Sequence, residues 1–238
     1  MDERNAALEA KLAEQLRGCC FGGAIQAFAI CDSTMDHAHA LAREVAGEGT
    51  LVFALRQRQG RGRLGRRWES PEGGAYFSLI LKPARPATEI PQLSLVAGLS
   101  AAEALHELTG LSPSIRWPND LLLNGRKVAG ILIEASVQRI ADSVQNYVVV
   151  GMGINVSTDP QELPEGASSL GEALASSSTL HAKRSPPDPV ALTVALCRRF
   201  DAWYDVWTAT GFAPIREALH PWLHLGQIVR LTAGASET

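Results

Sequence analysis

The dipeptide Asn124-Gly125 constrains this chain more than any other feature. It favours the positive φ values of a two-residue hairpin turn, and it lies between the apolar runs Asp120–Leu123 and Lys127–Glu134. An antiparallel strand pair is therefore expected at its centre. Further strands are expected at Ala24–Ile30, Leu51–Leu55, Ala75–Leu81, Ser114–Trp117 and Tyr147–Val150, the last interrupted by Gly151 and Gly153. Helices are expected at Asn5–Arg17, where Leu8, Leu12 and Leu16 recur at i, i+4, and from about Met35 to Ala46 after the capping residues Asp32-Ser33-Thr34. Three more follow at Leu93–Leu108, Val190–Trp207 and Phe212–Leu219. Thr158–Pro189 is rich in Ser, Pro and Gly and reads as a loop region with one short helix near Gly171. Hairpin-linked strands mixed with helices predict an α+β fold: a mixed or antiparallel sheet with helices packed on one face. A terminal strand at Gly226–Leu231 cannot form a sheet alone. It either joins the main sheet or begins a small β domain absent from this chain.

Composition narrows the function classes. The chain has 238 residues, 46% hydrophobic and 20% charged, which suits one large domain or one plus a small appendage. Its net charge of −3 argues against general nucleic-acid binding, which needs a basic domain. No apolar run approaches the roughly 18 residues of a membrane span. Met1–Gly18 is acidic and lacks the apolar core of a secretory signal. The four cysteines form no C-x-x-C pair and read as buried or partly buried free thiols of a reducing cytosol.

Four clusters carry chemistry. Arg56–Trp68, RQRQGRGRLGRRW, sets six arginines among three glycines without apolar periodicity and reads as a loop. Glycine lets backbone approach a ligand, and guanidinium groups bind phosphate or carboxylate. The glycine spacing is neither that of a P-loop nor that of a dinucleotide fingerprint. A solvated basic loop, or one that contacts nucleic acid, remains the plainer reading. Arg116–Glu134, RWPNDLLLNGRKVAGILIE, places Asp120 and Lys127 on neighbouring strands, either facing one site or forming an ordinary surface salt bridge. Gly151-Met152-Gly153-Ile154-Asn155 allows close backbone approach at a strand end, where Asn155 either meets a ribose, a phosphate or a metal-bound water, or caps the turn. Ser33-Thr34 opens a helix and either binds a ligand there or is only an N-cap.

Together, S-T, GRGRLGRRWESPEGGAYFSL, RWPNDLLLNGRKVAGIL and VVVGMGINV resemble the biotin–protein ligases over roughly Ile25–Leu170, and more weakly to about Leu231. The resemblance implies a class II synthetase-like biotin/lipoate ligase core. It also implies an ATP- and Mg²⁺-dependent ligase that forms biotinyl-5′-AMP and transfers biotin to a lysine of a biotin carboxyl carrier protein. By the same resemblance, Ser33 and Thr34 hold the ureido ring of biotin, and Gln57 and the backbone of Gly130 are further biotin contacts. Gly60, Arg61 and Arg63 belong to the loop that closes over biotin and its adenylate. Trp68 packs near adenine, Asn119 and Asp120 are the amide–acid pair, Lys127 lies near the biotin carboxylate and α-phosphate, and Asn155 lies near the phosphates or adenylate, with Arg63, Trp68, Asn119 and Asn155 as the nucleotide contacts. Arg61, Arg63 and Lys127 would offset the repulsion between carboxylate and triphosphate. Asp120 would orient or deprotonate the carrier lysine. Mg²⁺ would be held mainly through ATP phosphates.

The chain departs from the family at Met35, where asparagine is common, and at Arg116, where lysine is usual. The resemblance assigns 1–222 to the catalytic domain and 223–238 to the stub of a C-terminal SH3-like β domain. Too few residues precede the first strand for a DNA-binding domain, so no nucleic-acid role and no membrane association are expected. A cytoplasmic location is expected, and a homodimer through a sheet edge stays open. Competing readings are a lipoate- or octanoate-transferring relative on the same core, an inactive biotin-binding homologue, and a nucleic-acid module built on the arginine loop.

Overall fold

The apolar runs pair into one mixed sheet. A computed structural model describes residues 2–44, 46–140, 143–177 and 185–224. Among these, the strands β1 (Glu3–Arg4), β2 (Ala24–Cys31), β3 (Thr50–Gln57), β4 (Gly74–Leu81), β5 (Ser114–Arg116), β6 (Asp120–Leu123), β7 (Arg126–Ile140) and β8 (Ser143–Asn155) lie in the order β1-β2-β3-β4-β8-β7-β6-β5. β2 and β3 are parallel, and the other neighbouring pairs are antiparallel. A parallel pair needs a crossover connection, which α2 (Thr34–Arg43) supplies.

Strand alternation divides the apolar side chains between two faces. Leu51, Phe53, Phe77, Leu79, Val148 and Val150 enter the larger core, under α1 (Ala6–Gln15), α3 (Leu93–Thr109), α5 (Pro189–Thr210) and α6 (Ala213–Leu219). Val52, Ala54, Ile80 and Val149 point the other way and meet Met35, Ala38 and Ala42 of α2. The predicted one-sided helix layer therefore holds for four helices, while α2 covers part of the opposite face. β4 is buried along its whole length because both of its faces are covered. The short helix expected near Gly171 is α4 (Leu170–Ala175), capped by Ser169. None of the described helices is long and apolar enough to cross a membrane.

The hairpin at Asn124-Gly125 forms as predicted, with φ of 50° and 76°, the signature of a type I′ turn. Its register then shifts. Leu122 pairs with Lys127 but Leu121 pairs with Ala129, so Val128 is an extra residue in β7. This bulge brings Lys127 and Gly130, three residues apart, to the same face.

Three predictions need correction. β3 continues through Arg56 to Gln57, so the arginine loop begins at Arg58. β7 is about twice and β8 more than three times as long as expected, and β8 runs unbroken through Gly151 and Gly153 to Asn155. The short β1 was not expected at all. The strand predicted at Gly226–Leu231 lies outside the described residues.

Candidate active site

The ends of β3, β6, β7 and β8 converge with the start of α2 on one cavity. It is lined by Thr34, Gln57, Arg61, Arg63, Trp68, Asn119, Lys127 and Gly130, all expected from sequence. Met35, Gly151 and Gly153 line it as well. Ser33, Gly60, Asp120 and Asn155, also expected from sequence, are not part of this lining.

Its floor is a buried polar cluster. Gln57 Oε1 accepts from the Thr34 backbone N–H at 2.8 Å and from the Thr34 hydroxyl at 3.1 Å. Gln57 Nε2 donates to Ser70 Oγ at 2.9 Å, and Ser78 Oγ donates to Thr34 Oγ1 at 2.9 Å. Such a satisfied network fixes side-chain orientations inside a low-dielectric site. The Ser33 hydroxyl is used differently: it caps α2 by accepting from Asp36 N at 3.3 Å.

One wall is cationic. Lys127 Nζ lies 2.6 Å from Asp120 Oδ1 and 5.0 Å from the centre of the Trp68 ring. Arg116 Nη2 holds the other oxygen of Asp120 at 2.7 Å. The acid and base predicted for neighbouring strands thus meet directly, although a diagonal across the bulge separates them. Arg63 Nη1 donates to Asn119 Oδ1 at 3.0 Å, while Asn119 Nδ2 donates to the Ile131 carbonyl at 3.0 Å. Among the described residues, Arg63 has no carboxylate within ion-pair distance. Arg61 contrasts with it: its guanidinium reaches Asp36 and Glu134 at 2.8 and 2.6 Å.

Trp68 forms the lid. The indole lies against the backbones of Gly130 and Gly153. A Cβ at Gly130 would meet its Cζ3 at 2.8 Å, and one at Gly153 would meet its Cε2 at 2.7 Å. Glycine is required at both positions by this contact, not by backbone φ. The indole N–H is buried without a hydrogen-bond partner. The loop beneath it is a small hairpin, in which Trp68 N donates to Gly60 O and Gly62 N to Arg66 O. With the lid down, the cavity is about 50 Å³, room for a water or two and well short of a small-ligand site. A bicyclic ring is larger than the cavity left beside Trp68 in this conformation.

Asn155 is 2% exposed and donates to the Ser168 carbonyl at 3.0 Å, leaving its Oδ1 without a partner. The segment it holds also bonds the Lys127 backbone, through Lys127 N to Gly166 O and Ser168 N to Lys127 O. Glu172 anchors the same segment through Arg126 and Ser168. The hydrogen bond from Arg126 holds its carboxyl below the usual range, with Ser168 acting in the same direction against the effect of burial.

Sequence reasoning missed Asp36 and Glu134, whose side chains meet the loop at Arg61, His39, which backs Glu134, and Ser70 and Ser78 of the floor. Only the strand alternation around Ser78 offered a local signal. Among the described residues, no three His, Cys, Asp or Glu side chains are grouped to hold a metal ion. All four cysteines are free, as predicted; three are buried as expected, whereas Cys20 is exposed.

Residues 27–155 match the model of the family described as Biotin/lipoate A/B protein ligase family. The chain is 38% identical over 188 residues to a bifunctional ligase/repressor BirA of Bacillus subtilis, covering 79% of this chain and 55% of that relative. It is 37% identical over 213 residues to a biotin–[acetyl-CoA-carboxylase] ligase of Paracoccus denitrificans, covering 87% of this chain and 84% of that one. The chain therefore spans about half the length of the first relative. The fold matches a biotin protein ligase of Aquifex aeolicus solved with biotin and ATP, with a TM-score of 0.68 and 30% identity over 85% of this chain and 79% of that one.

Proposed function

Because this chain belongs to the Biotin/lipoate A/B protein ligase family, we propose that it condenses biotin with ATP to biotinyl-5′-AMP and transfers the biotinyl group to a lysine of a carboxyl carrier protein. The observation that carries this reading is the meeting of Lys127, Arg63 and Trp68 around one small cavity floored by Thr34 and Gln57. A floor of fixed amide and hydroxyl groups suits a ureido ring, which presents a carbonyl acceptor and two N–H donors. The glycine-lined slot under Trp68 suits flat or aliphatic groups packed against an indole face.

In the first step the biotin carboxylate attacks the α-phosphorus of ATP, and pyrophosphate leaves. Both reactants are anions, so a fixed positive charge lowers the barrier more than any proton transfer would. Lys127 and Arg63 supply that charge. Lys127 is positioned by Asp120, and Arg63 by Asn119. In the second step the carrier's lysine amine attacks the acyl carbon and AMP leaves. The amine must lose a proton, and Asp120 is the candidate acceptor once Lys127 has turned toward the phosphate. The described residues offer no protein-only cation site, so Mg²⁺ is read as arriving with the nucleotide, and no step here depends on it. Lid closure by Trp68 keeps water from the mixed anhydride between the two steps.

Residues 1–222 are read as the catalytic unit, working in the cytoplasm without nucleic acid. Incubation with ATP, Mg²⁺, biotin and a carrier domain, followed by mass measurement, tests the proposal. The carrier should gain one biotinyl group. A carrier that gains lipoate in competition and no biotin would overturn the substrate assignment, and an unmodified carrier with no pyrophosphate released would overturn the ligase reading.

A further inference from the structure

A polar chain outside the cavity links the arginine–glycine loop to the scaffold. We propose that Glu134 and His39 are positioning residues that hold this loop closed through Arg61. What the loop encloses rests on the ligase reading; the tether itself does not.

The chain runs from core to surface. Tyr147 on β8 is 4% exposed, and its hydroxyl lies 3.2 Å from His39 Nδ1, with the two rings edge to face at 5.7 Å. His39 on α2 is 8% exposed, and its Nε2 lies 2.8 Å from Glu134 Oε2. The other oxygen of Glu134, on β7, accepts from Arg61 Nη2 at 2.6 Å. Arg61 Nη1 completes the set by donating to Asp36 Oδ1 at 2.8 Å. With a proton on Nε2 the imidazole donates to Glu134, and Nδ1 is left to accept from Tyr147. Each buried group is thereby satisfied, and Glu134 is fixed from behind before it meets the loop. Arg43 borders the same depression.

Two features make this a tether rather than decoration. First, both arms of the Arg61 guanidinium are occupied by carboxylates, so its charge is spent on the scaffold and not on a ligand. Second, Arg61 bridges Arg67 within the loop hairpin, and Arg67 precedes Trp68. Fixing Arg61 therefore fixes the strand that carries the lid. Asp36 alone would hold it poorly, because that side chain is 59% exposed and such pairs contribute little. Glu134, at 28% exposure with His39 behind it, is the stronger anchor.

The test uses the ligand-free protein. Amide hydrogen exchange is followed over residues 58–68 in the wild type, Glu134→Ala, Glu134→Gln, His39→Ala, Arg61→Ala and the Glu134→Ala/Arg61→Ala double variant. Glu134→Ala should raise loop exchange by about tenfold, the size expected for a charge-assisted hydrogen bond, with β4 amides unchanged. Glu134→Gln, which keeps the hydrogen-bonding shape, should restore part of the protection. The double variant should be no worse than either single one. With biotin and ATP added, loss of biotinyl-AMP should quicken more than pyrophosphate release slows. Unchanged loop exchange in Glu134→Ala, or additive effects in the double variant, would overturn the tether. If Glu134→Ala does not fold, Glu134→Gln and Arg61→Ala decide the question. A wild type that forms no adenylate sinks the ligase reading, while the exchange result still decides the tether.

Discussion

Replacing Lys127 with methionine separates chemistry from stability. The Lys127 ammonium lies 2.6 Å from Asp120 and is 28% exposed on its side chain. Two opposite charges about 4 Å apart gain roughly 4 kcal/mol at the effective dielectric of a protein surface, about 20. Asp120 already offsets part of the lysine's charge, so the share available to a reacting phosphate is about 2–4 kcal/mol. At about 1.4 kcal/mol per tenfold, adenylation should slow by about 30- to 1,000-fold. The fold should suffer little. Asp120 keeps Arg116 at 2.7 Å, and Arg116 is 54% exposed, so the loss is about 1 kcal/mol or less, a melting shift of about 2–4 °C for a chain of this size. Pyrophosphate release after mixing the variant with biotin and ATP measures the first effect, and thermal unfolding measures the second. Release within about threefold of the wild type, with melting unchanged, would refute the assignment of Lys127 as the phosphate-facing charge.

Other substitutions probe the remaining parts of the site. Arg63→Ala removes the donor to Asn119 Oδ1 and should let biotinyl-AMP escape, raising the free intermediate in solution; unchanged retention would count against a role in closure. Gly153→Ala sets a methyl group 2.7 Å from Trp68 Cε2, and the half-buried indole, carried by a loop, should shift rather than strain the sheet. We expect the KM for biotin to rise by about tenfold or more, since overpacking costs about 1–3 kcal/mol, with melting nearly unchanged. A large fall in melting temperature with normal KM would show that the strain stays in the sheet. Glu172→Gln tests the anchor beneath Lys127. The Arg126 hydrogen bond holds this carboxyl below its ordinary value of 4.5, so its contribution is present above that pH and fades as pH falls through the lower folded value. The difference in melting between wild type and variant should be full above about pH 5 and shrink on acidification; a difference that grew in acid would contradict this.

Local chemistry in the sequence was enough to locate most of the backbone. Asn124-Gly125 could only be a tight turn between apolar runs, and Asn5, Ser33 and Gly110 mark helix ends that form where they were expected. Gly151 and Gly153 misled for a physical reason. Glycine in a strand usually signals a break, but here β8 stays extended between β4 and β7, and the missing side chains make room for Met35 and Trp68. Nothing within β8 itself announces those two neighbours. The extra residue at Val128 was equally silent. A two-residue turn alone predicts that Lys127 and Gly130 point to opposite faces, and only the register of β6 against β7 brings them together.

The arginine loop shows why the sequence can locate a site without giving the partners of its side chains. Its composition shows that positive charge and backbone freedom are concentrated there, but not which charge is already spent. Arg61 and Arg63 are separated by one residue and look equivalent in the string GRGR. They differ because Arg61 meets Asp36 and Glu134, which lie 25 and 73 residues away, whereas Arg63 meets the neutral amide of Asn119. A guanidinium between two carboxylates has little attraction left for a phosphate, while one held by an amide keeps its full charge. On the proposed reading, the division of labour between holding the loop and stabilising the ligand follows from partners distant in sequence, which no spacing rule within the loop can reveal.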